Sequence, residues 1–267
     1  MKIAELCDYL GQVAPLGLAA EWDNVGLLLG RRDREATKAL CCLTLTREVV
    51  KEAIDSQAHI VVTHHPFPFR PFKKIADDDA EGRMLLDLLE HEIAVYSAHT
   101  AYDGTYQGIN QQIARMLRLE SIAPLEESAG FATSFEGSAG VGRMGSCIPA
   151  ATLEDMLSHF REKFPQGALR FCGNLETTHH KVGIACGSGG DLLALAAARE
   201  CSLFVTGEMT FHNVLKARAM GIETILLGHY ESERFGVEAL ARQISAELRD
   251  VKAWASRTES NPLMLYA

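Results

Sequence analysis

Imidazole and carboxylate groups stand in short clusters along this sequence, and each cluster follows a run of apolar residues. Five residues of these clusters are His64, His65, Asp103, His229 and Glu233. Such groups, with no cysteine beside them, suit a divalent first-row metal such as zinc, iron or manganese. Three imidazoles and two carboxylates are enough to hold two ions about 3.5 to 4 Å apart, with positions left open for water. The residue types therefore predict a metal site.

The adjacent pair His64 and His65 follows the apolar run IVVT. Neighbouring side chains on an extended strand point to opposite sides, so we expect the two rings not to bind one ion together. The pair then favours two ions, or one ligand and one packed histidine. Pro66 is expected to end the strand directly after the pair, because proline has no backbone N–H group.

His229 and Glu233 are four residues apart, which is about one helical turn. Both side chains face one point if the helix begins at His229. If the helix begins at Ser232, which can cap it, His229 lies on a loop and the loop geometry decides whether they converge. The plain alternative for such a pair is a solvated helix face, and for a single histidine a core or surface role.

The chain alternates short aliphatic runs with helical patterns, which predicts a mixed α/β fold with mainly parallel strands. Ligand sites of such sheets lie beyond the carboxyl ends of the strands, where these clusters fall. The predicted strands are 39–45, 59–63, 93–97, 181–186, 203–206 and 222–227. The predicted helices are 47–57, 81–91, 107–117, 153–163, 191–199 and 232–248.

The stretch 120–140 is rich in Ser, Gly, Ala and Glu without a clear period, so it is the best candidate for a linker or a domain boundary. We predict one α/β domain from residues 1–125 with 229–267 and a second from 126–228. The two halves also show a weak internal repeat: a histidine is followed four positions later by an acidic residue. The pairs are His99 with Asp103 and His229 with Glu233. A duplicated domain explains this repeat, and chance similarity between α/β halves is the alternative.

Two further motifs have structural explanations as well as functional ones. CGSGGD at 186–191 ends a predicted strand and opens a helix, where backbone N–H groups can hold an anion. It is not a Walker loop, and a tight turn capped by Asp191 is the favoured explanation, with a phosphate site beside the metals as the functional alternative. Buried, satisfied polar groups are a sufficient account of EWDNVG at 21–26. The pair His179 and His180 precedes a strand, so we expect a solvated turn there.

The charge balance argues against several classes of partner. The 267 residues include 26 Lys and Arg against 35 Asp and Glu, a net charge of −9. A general nucleic-acid or anionic-membrane binder needs a basic face, so neither is expected. Seven cysteines without a C-x-x-C pair, Cys41 and Cys42 among them, suit buried thiols in a reducing compartment. With no signal peptide or membrane span predicted, we expect a cytoplasmic protein.

Six sequence blocks resemble the signature blocks of the Nif-three-like family, whose bacterial members carry the name type-two GTP cyclohydrolase I homologue. They occur in family order and span nearly the whole chain. The blocks are EWDNVGLLLG at 21–30, VVTHHPFPFRPFKKI at 61–75, SAHTAYDG at 97–104, CGSGGD at 186–191, VTGEMTFHN at 205–213 and LLGHYESE at 226–233.

The resemblance implies two related α/β domains, a toroidal homohexamer and two divalent metal ions per subunit. It also implies the same metal ligands that the clusters suggest: His64, His65, Asp103, His229 and Glu233. His99 and His212 match motif positions as residues that could orient ligands or move protons.

The activity implied is a metal-dependent hydrolase that opens the imidazole ring of GTP and releases formate, or acts on a related nucleotide or phosphoester. Glu208 or His212 would then move the proton. The phosphates would lie near Gly187, Ser188, Gly189 and Gly190. A non-enzymatic hexamer that binds metal or partner proteins uses the same ligands and is the alternative. A nucleic-acid role is disfavoured by the net charge, and the basic, aromatic run at 70–74 is expected to be a surface loop.

Overall fold

The computed structural model describes residues 1–128 and 139–264, and the predicted mixed α/β architecture is confirmed. Two units are present: one combines Met1–Tyr102 with Arg234–Pro262, and the other consists mainly of Asp103–Glu233. The predicted division into domains 1–125 with 229–267 and 126–228 refers to parts that fold independently. It stays a prediction. In the described part of the chain, no helix has the length and apolar character needed to cross a bilayer.

The helices are numbered in chain order. They are α1 Ile3–Val13, α2 Arg47–Asp55, α3 Ala80–Glu90, α4 His99–Gly104, α5 Ile109–Met116, α6 Leu153–Lys163, α7 Leu193–Ala198, α8 Phe211–Ala219 and α9 His229–Glu247. The strands are β1 Gly26–Leu29, β2 Lys38–Cys42, β3 Ile60–Thr63, β4 Ala94–Ser97, β5 Glu120–Ala123, β6 Glu126–Glu127, β7 Gly140–Val141, β8 Arg143–Thr152, β9 Arg170–Cys172, β10 Thr178–Ala185, β11 Leu203–Thr206, β12 Glu223–Leu226 and β13 Lys252–Ala255.

The first unit contains a five-stranded sheet in the order β1-β4-β3-β2-β13. Four neighbouring strands, β13, β2, β3 and β4, are parallel, and β1 is an antiparallel edge strand. Cys42 lies opposite Thr63, and Thr63 lies opposite Ser97. The segments after β3 and β4 therefore leave the sheet at the same edge, which is where ligand sites of parallel sheets form.

An apolar core joins this sheet to α2 and α3. α2 begins where the Thr46 hydroxyl accepts a hydrogen bond from the Val49 N–H group, and α3 where Asp79 accepts one from Gly82. Each fully buried aliphatic side chain contributes about 1.5–3 kcal/mol relative to an exposed one. The core comprises Leu40, Cys42, Leu45, Val49, Val50, Ala53, Ala58, Val61, Phe67, Met84, Leu85, Leu88, Ile93 and Val95. Cys41 and Cys42 are buried free thiols, as predicted.

The second unit contains a six-stranded sheet in the order β5-β8-β10-β11-β12-β9. Its centre, β10, β11 and β12, is parallel, and Thr206 lies opposite both Ala185 and Leu226. Strands β8, β5 and β9 extend this centre with antiparallel pairs. The three parallel strands end at one level, so the residues that follow them emerge at a single edge of this sheet.

The segment 120–140, predicted as a linker, contains regular structure at both ends. Glu120–Ala123 pairs with β8, and Glu126 lies opposite Val141 in a short two-stranded sheet formed by β6 and β7. Residues 129–138 lie outside the described residues. Strand pairing therefore replaces the predicted linker at the described ends of the segment.

Candidate metal centre

Three histidine rings converge in the first unit. His64 and His65 follow β3, and His99 follows β4 and begins α4. The distances between ring centroids are 5.3 Å for His64–His65, 5.2 Å for His64–His99 and 5.6 Å for His65–His99. One nitrogen from each ring lies within 4.8 Å of the others, which makes a group that could hold a metal ion. We call these three side chains the histidine group.

The prediction that His64 and His65 point to opposite sides is wrong. Strand β3 ends at Thr63, and the backbone bends at both histidines instead of continuing as extended chain. Side-chain alternation requires a continuing strand, so it does not apply after Thr63. The two rings consequently lie close enough to contribute to one ligand group.

Backbone hydrogen bonds fix the histidine pair at the end of the sheet. The His64 N–H group donates to the Cys42 carbonyl at 2.9 Å, and the His65 N–H group donates to the Leu43 carbonyl at 2.8 Å. His65 Nδ1 lies 2.7 Å from the hydroxyl of Thr44. His64 is almost fully buried. The pair is thus placed by β2 and β3 before any ligand binds.

A buried carboxylate orients His99. Asp23 Oδ1 lies 2.7 Å from His99 Nδ1, and its other oxygen accepts hydrogen bonds from the backbone N–H and hydroxyl groups of Thr100. Burial raises the pKa of Asp23, but the hydrogen bonds from His99 and Thr100 outweigh it and leave the pKa below its usual value. The charged carboxylate accepts a hydrogen bond from Nδ1 of His99, and this contact favours the tautomer in which Nε2 can bind a metal.

The loop EWDNVG therefore does more than bury satisfied polar groups. Asp23 is buried and fully hydrogen bonded, in agreement with that interpretation, but its partner is a histidine of the candidate site. The adjacent Trp22 is exposed. Asp23 was not predicted as a functional residue, because a contact across 76 positions leaves no local pattern in the sequence.

His99 also has an unusual backbone conformation. Its φ angle is +27°, a value that residues other than glycine rarely adopt. Such a conformation costs about 1–3 kcal/mol and persists only where surrounding contacts impose it. The hydrogen bond from the His99 N–H group to the His64 carbonyl is one such contact. Strain of this kind concentrates at functional sites, which supports a role for His99.

In the second unit, His229 lies between two carboxylates. Its Nδ1 is 2.9 Å from Glu208 Oε1, and its Nε2 is 3.1 Å from Glu233 Oε2. α9 begins at His229 and not at Ser232, so His229 and Glu233 face each other across one helical turn. Glu233 is buried, whereas Glu208 is partly exposed.

The two carboxylates change the proton affinity of the imidazole between them. The hydrogen bond with Glu233 raises the pKa of His229 to about 9, although burial opposes it. The hydrogen bond with His229 likewise holds the pKa of Glu208 below its usual value. A cation that binds Nε2 of His229 would have to displace a proton, as is general for histidine ligands.

The loop after β10 lies directly against this pair. A Cβ atom at Gly187 would lie 2.2 Å from Glu233 Oε1 and 3.4 Å from His229 Nε2, and the φ angle there is +56°. The N–H groups of Gly187 and Gly189 donate to the hydroxyls of Ser232 and Thr206. These two amides therefore fix the loop itself, and the phosphate role of residues 187–190 stays a prediction.

Asp103 is held by residues of the second unit. The Cys186 thiol donates to Asp103 Oδ1 at 3.2 Å, and Asn110 Nδ2 donates to the Asp103 backbone carbonyl at 3.3 Å. Asn110 also accepts the Cys186 N–H group, so it ties both residues together. Burial raises the pKa of the Cys186 thiol well above its usual value, and the charge of Asp103 adds to this. Cys186 therefore acts as a hydrogen-bond donor to the carboxylate.

A buried arginine fixes the chain directly after Asp103. Arg143 is completely buried, and its guanidinium donates to the backbone carbonyls of Gly104 and Thr105 at 3.0 and 2.8 Å. Burial lowers the pKa of Arg143 to about 10, while the charge of Asp103 opposes this shift. Arg143 therefore stays protonated at neutral pH and places a positive charge near Asp103.

His212 and Glu208, the two residues predicted to move the proton, have different surroundings. His212 lies exposed at the start of α8, and its ring contacts Phe211 with 5.8 Å between centroids. Within residues 1–128 and 139–264, the structure shows no hydrogen bond between His212 and His229 or Glu208. Its proton-transfer role stays a prediction. Glu208, in contrast, contacts His229 directly.

The prediction of a solvated turn at His179 and His180 is wrong. β10 begins at Thr178 and so includes both residues. His179 is buried, with Nε2 2.9 Å from Glu223 and Nδ1 3.0 Å from Ser202. Both ring nitrogens of His179 therefore have hydrogen-bond partners within the protein, so its burial is explained without a metal ligand role.

The comparisons with known proteins agree with one another. The family model Duf34/NIF3 (NGG1p interacting factor 3) matches residues 1–262. A Clostridium perfringens protein named GTP cyclohydrolase 1 type 2 homolog is 30% identical over 263 residues, which cover 98% of each chain. NIF3-like protein 1 of Drosophila melanogaster is 29% identical over 271 residues, covering 100% of this chain and 90% of that protein. A Staphylococcus aureus crystal structure, at 25% identity, has a TM-score of 0.87 and covers 100% of this chain and 99% of that one.

The fold and the donor groups define an α/β protein with histidine and carboxylate groups that could hold divalent metal. Imidazole nitrogens and carboxylate oxygens are the ligand set that zinc, iron and manganese share. The match over residues 1–262 shows that the chain belongs to the Duf34/NIF3 family.

Proposed function

We propose that this protein is a divalent-metal-dependent hydrolase that acts on a nucleotide or a related small heterocyclic substrate. It binds two metal ions per subunit, of zinc, iron or manganese. The ligands are His64, His65, Asp103, His229 and Glu233, and we add His99 because its ring belongs to the histidine group. The observation that carries the proposal is the histidine group, in which three imidazole nitrogens lie within 4.8 Å of one another.

The donor chemistry of both units supports metal binding. Three imidazoles that each place a nitrogen within 4.8 Å of the others form a donor set typical of a site for a cation. His229 and the buried Glu233 add a nitrogen and an oxygen donor 3.1 Å apart. The carboxylates of Asp23 and Glu208 each lie within hydrogen-bond distance of Nδ1 of a histidine, which is the usual way to orient an imidazole ligand.

A divalent cation bound at these residues supplies Lewis acidity and lowers the pKa of a water molecule toward neutrality. The protein's own groups then position the substrate and move protons. Glu208 is partly exposed and hydrogen bonded to both His229 and Ser188, so it is placed to exchange a proton with a bound molecule.

The relatives' name suggests the reaction: hydrolytic opening of the imidazole ring of GTP with release of formate. We extend that activity to this chain as part of the proposal, with Gly187, Ser188, Gly189 and Gly190 near the phosphates. We further propose a toroidal homohexamer in the cytoplasm. Light scattering tests the assembly, which should have six times the subunit mass of 29.2 kDa.

The test of the proposed function combines metal analysis with product detection. The purified protein should contain two equivalents of divalent metal and release formate from GTP. Glu233→Gln, which keeps the side-chain size, should reduce metal content and turnover together. Glu238→Gln on the same helix, where the carboxylate is partly exposed, is the matched control and should change neither.

Three results would contradict the proposal or redirect it. Turnover in protein that has been freed of metal would overturn the metal-dependent mechanism. Phosphate release without formate would replace ring opening by phosphoester hydrolysis. Full metal content with no turnover of any nucleotide would favour a non-enzymatic hexamer that binds metal or partner proteins.

A further inference from the structure

Two large aromatic side chains are exposed next to the histidine group. Trp22 is 67% exposed and Phe69 is 57% exposed. Their ring centroids lie 6.3 Å apart. We call this pair the aromatic platform. A molecule that covers both rings removes their apolar surface from water, and this burial stabilises the bound state.

The platform adjoins His99. The His99 ring lies 5.9 Å from Trp22 and 6.4 Å from Phe69, and it meets both edge-on, at interplanar angles of 74° and 77°. Asp23, the residue after Trp22, fixes His99 by its hydrogen bond. A flat ring that stacks on the platform therefore lies near His99, a candidate metal ligand.

The platform is held in place before binding. The side-chain amide of Asn24 donates to the backbone carbonyl of Pro68 at 3.1 Å, which joins the loop of Trp22 to the loop of Phe69. Asp23 anchors the first loop from its other side through Thr100. Rings that are already positioned lose little conformational entropy when a ligand binds, which favours recognition.

The ring geometry limits the kind of ligand. The planes of Trp22 and Phe69 are inclined by 52°, and the 6.3 Å gap between centroids is too narrow for a third ring to lie between them. Aromatic pairs favour centroid distances of about 4.5–7 Å in offset-stacked or edge-to-face arrangements. One flat ring can meet both conditions by stacking on one side chain with its edge toward the other.

We propose that Trp22 and Phe69 form a stacking platform for the flat nitrogen heterocycle of the substrate, of which a purine base is an example. This inference rests on the proposed function and assigns the residues that recognise the ring. Arg70 follows Phe69 and is exposed, so a heterocycle that carries phosphate groups finds a positive charge beside the platform. Stacking of a base on an aromatic side chain changes affinity about 5- to 150-fold.

A single-tryptophan protein gives a direct measurement. The chain has two tryptophans, so Trp254→Phe leaves Trp22 as the only indole reporter. Guanosine and GTP should quench its fluorescence with saturation, and inorganic triphosphate, which has no ring, should not. Equal quenching by triphosphate and by guanosine would overturn the proposal, because it would show recognition of charge and not of the ring.

Substitutions then test the platform in the full chain. Trp22→Leu and Phe69→Leu should each raise KM for GTP, or Kd for guanosine measured by equilibrium dialysis, by at least 5-fold, and Phe69→Tyr should restore affinity. Metal content should stay unchanged. Phe171→Leu is the control, since Phe171 is also a partly exposed aromatic residue but lies on β9 in the second unit.

The outcomes separate this inference from the proposed function. Hydrolysis with unchanged KM in both leucine variants would overturn the platform and leave the hydrolase standing. Guanosine binding that depends on Trp22, without any hydrolysis, would support the platform and remove the hydrolase. A change in the mass of the assembly in the leucine variants, with ligand affinity unaltered, would show that another copy of the chain covers the rings and would overturn the inference.

Discussion

Replacing Arg143 by methionine should strongly destabilise the second unit. Methionine fills a similar volume, so the change mainly removes a charge and its hydrogen bonds. The guanidinium is fully buried and donates five hydrogen bonds, all of them to oxygen atoms of the same unit. The acceptors are Gln111 Oε1 and the backbone carbonyls of Gly104, Thr105, Gly140 and Gly142.

The size of the effect follows from two opposing contributions. Hydrogen bonds to charged groups contribute about 1.5–3 kcal/mol each. Against their sum stand the several kcal/mol that it costs to bury a guanidinium. Removal of the side chain leaves five buried oxygens without this donor, so we expect the free energy of unfolding to fall by about 3–5 kcal/mol. Arg143→Lys keeps the charge but reaches fewer acceptors, and it should lie between the wild type and Arg143→Met.

Urea unfolding followed by far-ultraviolet circular dichroism measures this loss. Both tryptophans lie in the first unit, so fluorescence provides a separate signal for that unit and shows whether the two transitions part. Hydrogen exchange of the amides from Gly104 to Asn110 localises the effect, and these amides should lose protection first. A free energy of unfolding within 1 kcal/mol of the wild type would refute the reasoning, as would equal effects of methionine and lysine.

Three further predictions concern single side chains with well-defined partners. Burial raises the pKa of Glu52, but hydrogen bonds from four groups of residues 256–258 leave it below its usual value. The charged carboxylate therefore stabilises the fold at pH values above the pKa of Glu52 in the unfolded chain, and this contribution disappears as the pH falls through its folded pKa. In urea unfolding, Glu52→Gln should lower the free energy of unfolding by about 1 kcal/mol at pH 7. The loss should become progressively smaller below about pH 4.5. Asp23→Asn should weaken metal binding about 10- to 100-fold, measured by competition with a chromogenic chelator, because His99 loses its orienting partner. Cys186→Ala should weaken metal binding about 10-fold by the same assay, with Cys186→Ser partly restoring it, because the serine hydroxyl still donates to Asp103.

Each of these variants has a matched control. Glu90→Gln removes an exposed carboxylate from α3 and should change the free energy of unfolding by no more than about 0.5 kcal/mol. Asp33→Asn removes an exposed carboxylate, and Cys172→Ala removes a half-buried thiol. Unchanged metal affinity in Asp23→Asn or Cys186→Ala would show that these contacts are structural only. A pH-independent loss in Glu52→Gln would contradict the role assigned to its charge.

Regular periodicity made the parallel centres of both sheets predictable. The structure has α6 at Leu153–Lys163 and β11 at Leu203–Thr206, which are the predicted bounds, and β4 begins one residue later than predicted. β8 and α8 were not predicted. β8 carries glycine, serine and proline between its apolar residues, and α8 has no marked apolar face, so neither shows the pattern on which the prediction depends.

The site was predictable to the extent that its chemistry lies at strand ends. The positions of His64, His229 and Glu233 follow from the sequence, because a carboxylate four residues after a histidine and a pair after an apolar run are local signals. The contact of His99 with Asp23 depends on the tertiary fold. So does the bend after Thr63, which a rule for extended strands does not foresee.

The close approach of Gly187 to Glu233 has a consequence for other members of the family. A methyl group at position 187 would overlap the carboxylate, and the left-handed backbone there penalises any other L-residue as well. The two positions should therefore change together over evolution. Homologous chains that carry a larger residue at the first position are expected to have replaced the acid at the second by a shorter side chain, and an alignment of the family can reveal whether this covariation exists.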